Sequence, residues 1–325
     1  MTPRPLDPDR LHVVSIPMRL PFRGVTVREA LLVQGPAGWG EFSPFLEYDD
    51  AEASRWLAAA LEAADHGFPT PLRSSVPVNA TVPAVAADAV AGVLARFPGC
   101  RTAKVKVAEP GQSLRDDVDR IAAVRSALGP TGQVRVDANG AWTVQDAVRA
   151  LTVLAPFELE YAEQPCATVE ELAALRLALA RAGLDVLIAA DESVRKAADP
   201  VRVARLGAAD VVVLKVAPLS GVRPALAVAE ACGLPVVVSS ALATSVGISA
   251  GVALAAALPD LPYACGLATT SLMAADIADL PTVDGALPVR PVVPDPSRLE
   301  ELAATPDRRA WWLARAQRCH ALITG

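Results

Sequence analysis

The strongest constraint on the fold is an alternation of short apolar runs with longer stretches rich in Ala, Leu and Arg, repeated from about residue 76 onward. The β-branched runs predict strands, and the stretches between them have the apolar spacing of helices. Such alternation indicates parallel strands joined by crossover helices. The eight predicted strands cover residues 76–82, 102–107, 133–137, 159–163, 186–190, 211–216, 236–239 and 263–267.

A polar or small residue lies at or near the end of each predicted strand, and successive ends are 24 to 31 residues apart. These residues are Asn79, Lys106, Asp137, Glu163, Asp191, Lys215, Ser239 and Gly266. Each interval suits one strand, one helix and two turns, which need roughly 30 residues. Eight such units predict a closed (β/α)-barrel with functional residues at the C-terminal strand ends. An open doubly wound sheet is the alternative, but no glycine-rich phosphate loop follows the first strand.

The two ends of the chain differ from the barrel pattern of residues 76–288. In residues 1–75, the segments 12–19, 28–34 and 39–42 predict an antiparallel meander and 50–64 a helix. Residues 289–325 are rich in Pro, Asp and Arg and predict one short helix over 300–322. The predicted fold class is therefore α/β, a modified TIM barrel with an α+β capping domain built from both ends.

Charge and cysteine content exclude several classes of protein. Lys and Arg total 30 against 36 Asp and Glu, a net charge of −6 without a basic block, so neither nucleic acid nor a membrane is an expected partner. The five scattered cysteines lack CxxC spacing, which argues against disulfides and zinc and favours a reducing cytoplasm. Residues 1–10 show no signal-peptide pattern, and apolar stretches such as 236–258 are interrupted by Ser, Thr and Gly.

Two lysines lie two positions apart in the second predicted strand. Because strand side chains alternate, Lys104 and Lys106 point to the same face, here the barrel interior. Repulsion between two ammonium groups, together with a nearby metal ion, would lower a lysine pKa from about 10.4 toward neutrality, as a general base requires. Taken alone, such a pair more often marks a solvated strand edge.

Three acidic residues favour a functional site. Asp137, Glu163 and Asp191 end apolar runs on three consecutive predicted strands. Converging carboxylates repel or protonate unless a cation joins them. Oxygen ligands with room for water suit Mg²⁺, with Mn²⁺ as an alternative. A single acid after a strand often only caps the next helix, but three in register, between lysine-bearing strands, indicate a metal site.

Further polar residues are expected to face the same cavity. Lys215 ends the sixth predicted strand, and a buried lysine needs a partner. All three histidines lie outside the predicted barrel strands, so no imidazole base is available there. Ser239, Ser240 and Gly266 offer hydroxyls and backbone amides for a second carboxylate of the substrate, although Ser and Gly are also ordinary turn residues after strands.

Five motifs across the barrel resemble the enolase superfamily, in particular its muconate-cycloisomerising group, in order and in spacing. They are K-V-K at 104–106, R-V-D-A-N-G-A-W at 135–142, E-Q-P at 163–165, A-D-E-S at 190–193 and V-L-K at 213–215. The segment W-G-E-F-S-P-F at 39–45 is similar to the family's substrate-covering region. One departure is Ser220-Gly221, where the family has Gly-Gly.

The resemblance implies a metal-dependent enzyme that removes a proton α to a carboxylate. It implies magnesium ligands at Asp137, Glu163 and Asp191. It implies two catalytic lysines, the base Lys106 and the opposed Lys215. It implies supporting residues at Lys104, Arg135, Asn139 and Glu192.

Within this group, the compact cap and short chain look most similar to the o-succinylbenzoate synthases of menaquinone biosynthesis. That resemblance implies a syn dehydration of a small-molecule carboxylate. Lys106 would take a proton and return it to the departing hydroxyl, while the Lys215 ammonium stabilises the intermediate by a cation–π contact.

Several alternatives remain open within and beyond the superfamily. N-acylamino acid racemases and other cycloisomerases or epimerases share the motifs, but the dipeptide epimerases are disfavoured because residues 265–270 hold no acid. A Schiff-base aldolase, which also needs an interior lysine, and a silent binding barrel are remoter. The sequence leaves the oligomeric state open, with a monomer as one option.

Overall fold

The computed structural model describes residues 5–22, 24–196 and 199–325. Residues 1–4, part of the segment without a signal-peptide pattern, lie outside the described residues. In the described ranges, none of the helices has both the length and the apolarity that crossing a bilayer requires. All five cysteines are free thiols.

Strands and helices alternate through most of the described chain. The strands are β1 (Leu11–Phe22), β2 (Val25–Gln34), β3 (Trp39–Phe42), β4 (Ser75–Pro77), β5 (Ala80–Val82), β6 (Thr102–Lys106), β7 (Gln133–Asp137), β8 (Leu159–Glu163), β9 (Ile188–Ala190), β10 (Val211–Leu214), β11 (Val236–Val238) and β12 (Ala286–Pro288). The helices are α1 (Asp50–His66), α2 (Val90–Leu94), α3 (Leu114–Leu128), α4 (Val144–Leu154), α5 (Val169–Arg181), α6 (Glu192–Arg195), α7 (Arg202–Arg205), α8 (Val222–Cys232), α9 (Ser245–Ala257), α10 (Pro296–Glu301) and α11 (Pro306–Thr324).

The N-terminal cap is the predicted antiparallel meander, with β1, β2 and β3 side by side in that order. The predicted helix is also confirmed, and the side chain of Asp49 caps it by accepting from the backbone N–H of Glu52 at 2.7 Å. This helix, α1, packs very closely on β3. A Cβ at Gly40 would lie only 1.9 Å from the carbonyl oxygen of Ala60, so the contact requires glycine.

The barrel sheet contains β5 to β11 as parallel neighbours in chain order. The second to seventh predicted strands are confirmed, some with shorter bounds. The first predicted strand, 76–82, is wrong as one element, because β4 pairs antiparallel with β12 and only β5 enters the barrel sheet. Pro77 and Pro288 suit that two-stranded pairing, since proline lacks an N–H and is tolerated at sheet edges.

The eighth predicted strand, 263–267, forms no regular strand but still closes the barrel. On one side, the N–H of Cys265 donates to the carbonyl of Pro77 at 2.7 Å, and the N–H of Asn79 donates to the carbonyl of Cys265 at 2.9 Å. On the other side, the N–H of Gly266 donates to the carbonyl of Val238 at 2.8 Å. The segment is therefore hydrogen-bonded to both of its neighbours, which completes the predicted (β/α)-barrel.

The C-terminal segment contains two helices, α10 and α11, and not the single helix predicted over 300–322. Pro306 begins α11 at its first turn, where a missing N–H costs nothing, and Thr305 caps it. The helix binds the cap, because Trp312 Nε1 donates to Glu29 Oε2 of β2 at 3.0 Å. The division into residues 1–75, 76–288 and 289–325 stays a prediction.

Candidate active site

Three buried carboxylates lie on neighbouring strands at the C-terminal edge of the barrel sheet. Asp137 and Glu163 are register partners at the ends of β7 and β8, and Asp191 directly follows β9. None is more than 1% exposed. The parallel strand order thus brings the three predicted acids into one row, because the carboxyl ends of parallel strands meet at one edge.

A lysine ammonium group pairs with each carboxylate of this row. Lys106 Nζ lies 2.5 Å from Asp137 Oδ2, and Lys215 Nζ lies 2.5 Å from Asp191 Oδ2. Lys104 Nζ donates to both oxygens of Glu163, at 2.7 and 2.9 Å. These distances are those of charge-assisted hydrogen bonds, so positive groups from β6 and from the end of β10 flank the acids on both sides.

The three carboxyl groups differ in their affinity for a proton. Burial, and next the charge of Asp137, raises the pKa of Glu163 to about 7. Burial alone would raise the pKa of Asp137, but Lys106 and Lys104 outweigh it and hold that pKa well below its usual range. Burial is likewise outweighed at Asp191, whose pKa falls to about 2, chiefly because of Lys215. Glu163 is therefore the acid of the row that titrates near neutral pH.

The pKa values of two of the lysines shift in opposite directions. The sequence predicted that repulsion within the lysine pair, together with a nearby metal ion, would lower the pKa of one lysine that acts as a base, and this stays a prediction. In the metal-free arrangement, burial lowers the pKa of Lys104, but attraction from Glu163 and Asp137 outweighs it and raises that pKa overall, so Lys104 is not such a lysine. At Lys215, burial dominates and lowers the pKa despite the attraction of Asp191.

Asn139 and Glu192 connect Lys106 with the cap. Asn139 Oδ1 accepts from Lys106 Nζ at 2.6 Å, and its Nδ2 donates to Glu192 Oε1 at 3.2 Å. Glu192 also accepts from Arg195 Nη2 at 2.7 Å, while Arg195 Nη1 donates to the hydroxyl of Tyr48 in the cap at 3.1 Å. A continuous hydrogen-bond chain therefore runs from Lys106 to the cap.

Arg135 lies two residues before Asp137 on β7, level with its register partner Lys104 and below the carboxylate row. It is fully buried, and its guanidinium donates to Glu160 Oε2 at 2.5 Å and to the carbonyl of Ala264 at 2.7 Å. The guanidinium carbon also lies 4.7 Å from the ring centre of Tyr161. These hydrogen bonds join β7 to β8 and to the 263–267 segment, and none of them reaches the carboxylate row.

A cavity opens above the carboxylate row. Its lining includes the predicted substrate-binding residues Ser239, Ser240 and Gly266, as well as Phe22 and Phe45 of the cap. Ser240 Oγ donates to the carbonyl of Gly266 at 3.0 Å. The cavity therefore has a charged floor and a partly apolar wall, which suits a small carboxylate with a hydrophobic body.

Several residues at this site escaped the sequence analysis. Arg195, Tyr48 and Arg28 follow no motif that marks them. Glu41 lies in the 39–45 segment that the sequence singled out, but its contact with the barrel follows only from the fold. The scarcity of lysine in the chain was a further signal for the location of the site, although not for these residues. The chain has only four lysines, and all except Lys196 line the site cavity.

The donor chemistry of the acids fits a hard divalent ion. Three buried carboxylates lie in one row, and Asp191 Oδ1 makes no hydrogen bond of good geometry, although Arg195 Nε lies 3.2 Å from it. In the described arrangement, however, lysines neutralise these acids. No cluster of three or more His, Cys, Asp or Glu within 5–22, 24–196 and 199–325 is spaced to hold a metal. Carboxylate oxygens are the ligand type that Mg²⁺ prefers, and in the described arrangement the lysines supply the opposing charge.

Comparisons with known proteins agree with this architecture. Residues 84–291 match the family model "Enolase C-terminal domain-like", and residues 13–64 match "Enolase N-terminal domain-like". Among solved structures, muconate lactonizing enzyme from Pseudomonas fluorescens has a TM-score of 0.76 at 23% identity, covering 91% of this chain and 98% of its own. N-succinyl Arg/Lys racemase from Bacillus cereus has a TM-score of 0.74 at 20% identity, covering 91% and 97%. At these identities the likeness shows the fold alone.

Sequence relatives are much more similar. The o-succinylbenzoate synthase of Mycolicibacterium smegmatis is 61% identical over 97% of this chain and 96% of its own. That of Thermobifida fusca is 61% identical over 93% of each. Members of the superfamily use a divalent metal with a lysine or histidine base. The chain belongs to the enolase superfamily, in the family that these o-succinylbenzoate synthases form.

Proposed function

We propose that this chain is a magnesium-dependent o-succinylbenzoate synthase. The observation that carries the proposal is the 61% identity to synthases over nearly the whole chain, with a lysine on each side of the carboxylate row. The substrate would be a small cyclohexadiene carboxylate that loses water to form an aromatic ring.

In this proposal, Asp137, Glu163 and Asp191 hold the magnesium ion. When bound, such an ion supplies positive charge to a substrate carboxylate as that group gains electron density. The donor set supports this assignment, since all three acids are buried and magnesium prefers carboxylate oxygens.

Lys106 is the proposed base. Its nitrogen, now hydrogen-bonded to Asp137 and Asn139, takes the proton α to the substrate carboxylate once it has given up its own. The electron pair of the broken C–H bond is first delocalised toward the carboxylate and into the ring, and it then forms the new double bond as the C–O bond breaks. The departing hydroxyl receives the same proton from Lys106 and leaves as water, so atoms and charge balance.

Lys215 would act from the opposite side. It follows β10, four strands from β6, and its ammonium form would stabilise the negative charge that spreads into the ring. Phe22 and Phe45 would exclude water from the apolar part of the substrate, since both line the cavity.

A second candidate is an N-acylamino acid racemase, because Lys106 and Lys215 pair with different acids at the two ends of the carboxylate row. Two opposed bases would exchange the α-proton from either face. In D₂O, such an enzyme should label both enantiomers of an N-acylated amino acid, whereas a synthase without racemase activity should label neither.

The test is turnover of the cyclohexadiene carboxylate by the purified protein with magnesium, followed by the absorbance of the aromatic product. Chelation should abolish turnover, and readdition of magnesium should restore it. A rate that is indifferent to chelator would refute the metal mechanism. An adduct at Lys106 or Lys215 trapped by borohydride without metal would favour a Schiff-base aldolase instead.

A further inference from the structure

The loop of residues 239–244, which follows β11, lies between two cavities. Ser239, Ser240 and Ala241 line the active-site cavity on one side. The same three residues line a second cavity on the other side, against Trp56 of α1 and Gly247 of α9. Packing holds the buried Leu242 and Thr244 at the far end of the loop. At Ser240 and Ala241, which are only partly buried and border both cavities, hydrogen bonds contribute more to where the backbone lies.

Arg28, on β2 of the cap, holds the backbone of this loop. Its Nε donates to the carbonyl of Leu242 at 2.9 Å, and its Nη2 donates to the carbonyl of Ala241 at 3.2 Å. Leu242 has a φ of +57°, a left-handed conformation that is costly for a branched side chain. The arginine therefore contacts the loop where its backbone is strained, and the Leu242 side chain lines the active-site cavity.

Glu41, on β3, holds the end of the same loop. Its carboxylate accepts from the N–H and hydroxyl of Thr244, at 3.0 and 2.5 Å, and from the N–H of Gly247 at 2.9 Å. Gly247 must be glycine for this approach, because a Cβ there would lie 2.8 Å from Glu41 Oε2. Ser43 joins the two cap residues, since its hydroxyl accepts from Arg28 Nη2 at 2.9 Å and donates to Glu41 Oε1 at 2.6 Å.

We propose that Arg28, Ser43 and Glu41 form an interlock that positions the 239–244 loop and thereby sets the affinity of the active site for its substrate. All three are buried, with at most 7% exposure, although each is polar. A buried polar chain of this kind fixes geometry, because moving any member leaves the others without partners. They are positioning residues, since none of them lies in the carboxylate row.

The test, which takes its kinetic readout from the proposed synthase reaction, compares Thr244→Val with Thr244→Ser. The valine variant loses the hydroxyl that Glu41 binds, and the serine variant keeps it. We expect Thr244→Val to raise KM by about tenfold or more while kcat changes less than about threefold, and Thr244→Ser to restore most of the affinity. The Thr244 hydroxyl also caps α9 by accepting from the N–H of Val246 at 3.3 Å, so exchange within that helix does not test the interlock. Amide hydrogen exchange in residues 239–243, which precede the helix, should increase in the valine variant only.

A matched control is Glu29→Gln, because Glu29 lies on the same cap sheet but binds Arg308 and Trp312 of α11. It should lower the melting temperature with KM unchanged. A valine variant that only lowers the melting temperature, or a serine variant no better than valine, would overturn the interlock. If the wild-type protein fails to turn over the substrate, the proposed function fails, and hydrogen exchange alone then decides the interlock.

Discussion

Lys104 donates hydrogen bonds from Nζ to both carboxylate oxygens of Glu163, and the same nitrogen lies 3.4 Å from Asp137 Oδ2. This lysine therefore bridges two acids of the row. The nearby negative charge raises its pKa above the ordinary value despite burial, so Lys104 remains an ammonium group at neutral pH. It offsets part of the negative charge of the row, and Lys106 on the same strand is the proposed base.

Replacing Lys104 by Met should destabilise the metal-free protein in a pH-dependent way. Without its partner, Glu163 would have a folded-state pKa even further above the unfolded value of about 4.3. A raised carboxyl pKa favours the folded state fully below the unfolded pKa, and this advantage disappears as pH rises through the folded pKa. In urea, the free energy of unfolding of the variant should therefore fall further below that of the wild type at pH 8.5 than at pH 5.5. Equal losses at both pH values would contradict the pairing, and Lys196→Met is the control.

Magnesium binding should weaken below about pH 7. Glu163 has a pKa of about 7 in the metal-free protein, and a protonated carboxyl is a poor ligand for a cation. The rise in melting temperature caused by magnesium should therefore be smaller at pH 6 than at pH 8. Glu163→Gln should abolish most of this rise at both pH values. A rise that is independent of pH would show that Glu163 is not a ligand.

Lys106→Ala should reduce kcat by about 10²–10⁴-fold or more, because a positioned general base contributes that much. The substitution removes the proposed base but leaves Lys104 in contact with both Asp137 and Glu163. Turnover should be measured beside Lys196→Ala, the one lysine outside the site, which should retain activity. Activity close to wild type in Lys106→Ala would exclude the proposed mechanism.

Much of the barrel and of its carboxylate row could be predicted because both follow from periodic patterns. A β-branched run that ends in a polar residue indicates a strand and also its functional end. Asp137, Glu163 and Asp191 therefore came together once the strand order was known. The first and eighth strands were harder, because hydrogen bonds to distant residues decide them: β4 pairs with β12, and Cys265 bonds to Pro77.

The partners of the site residues could not be predicted for a related reason. Arg28 and Leu242 are 214 residues apart in the chain, and no local pattern connects them. The direction of the pKa shift of Lys104 could not be predicted either, because it depends on whether carboxylates or another lysine lie nearer. Sequence spacing predicts the face of a strand on which a side chain lies. The direction of a pKa shift also depends on the distances between charged groups, which the sequence does not give.

Arg135 provides a stability test that separates barrel support from catalysis. Its guanidinium is buried, bonds to Glu160 and the carbonyl of Ala264, and stacks on Tyr161. Arg135→Leu would leave Glu160 without this partner, at a cost near the lower end of about 3–5 kcal/mol, because Glu160 keeps some contact with water. Arg135→Lys should lose an intermediate amount of stability, because lysine keeps the positive charge but lacks the planar guanidinium group with its several donors.

The measurement is the urea midpoint of the leucine and lysine variants, with the slope of the transition unchanged. Because the hydrogen bonds of Arg135 do not reach Asp137, Glu163 or Asp191, the folded fraction of each variant should turn over substrate within about threefold of wild type. A fall in turnover by orders of magnitude at unchanged stability would instead place Arg135 in the catalytic machinery. In that case the deeper layer of the barrel would contribute to the electrostatics of the carboxylate row and not only to its support.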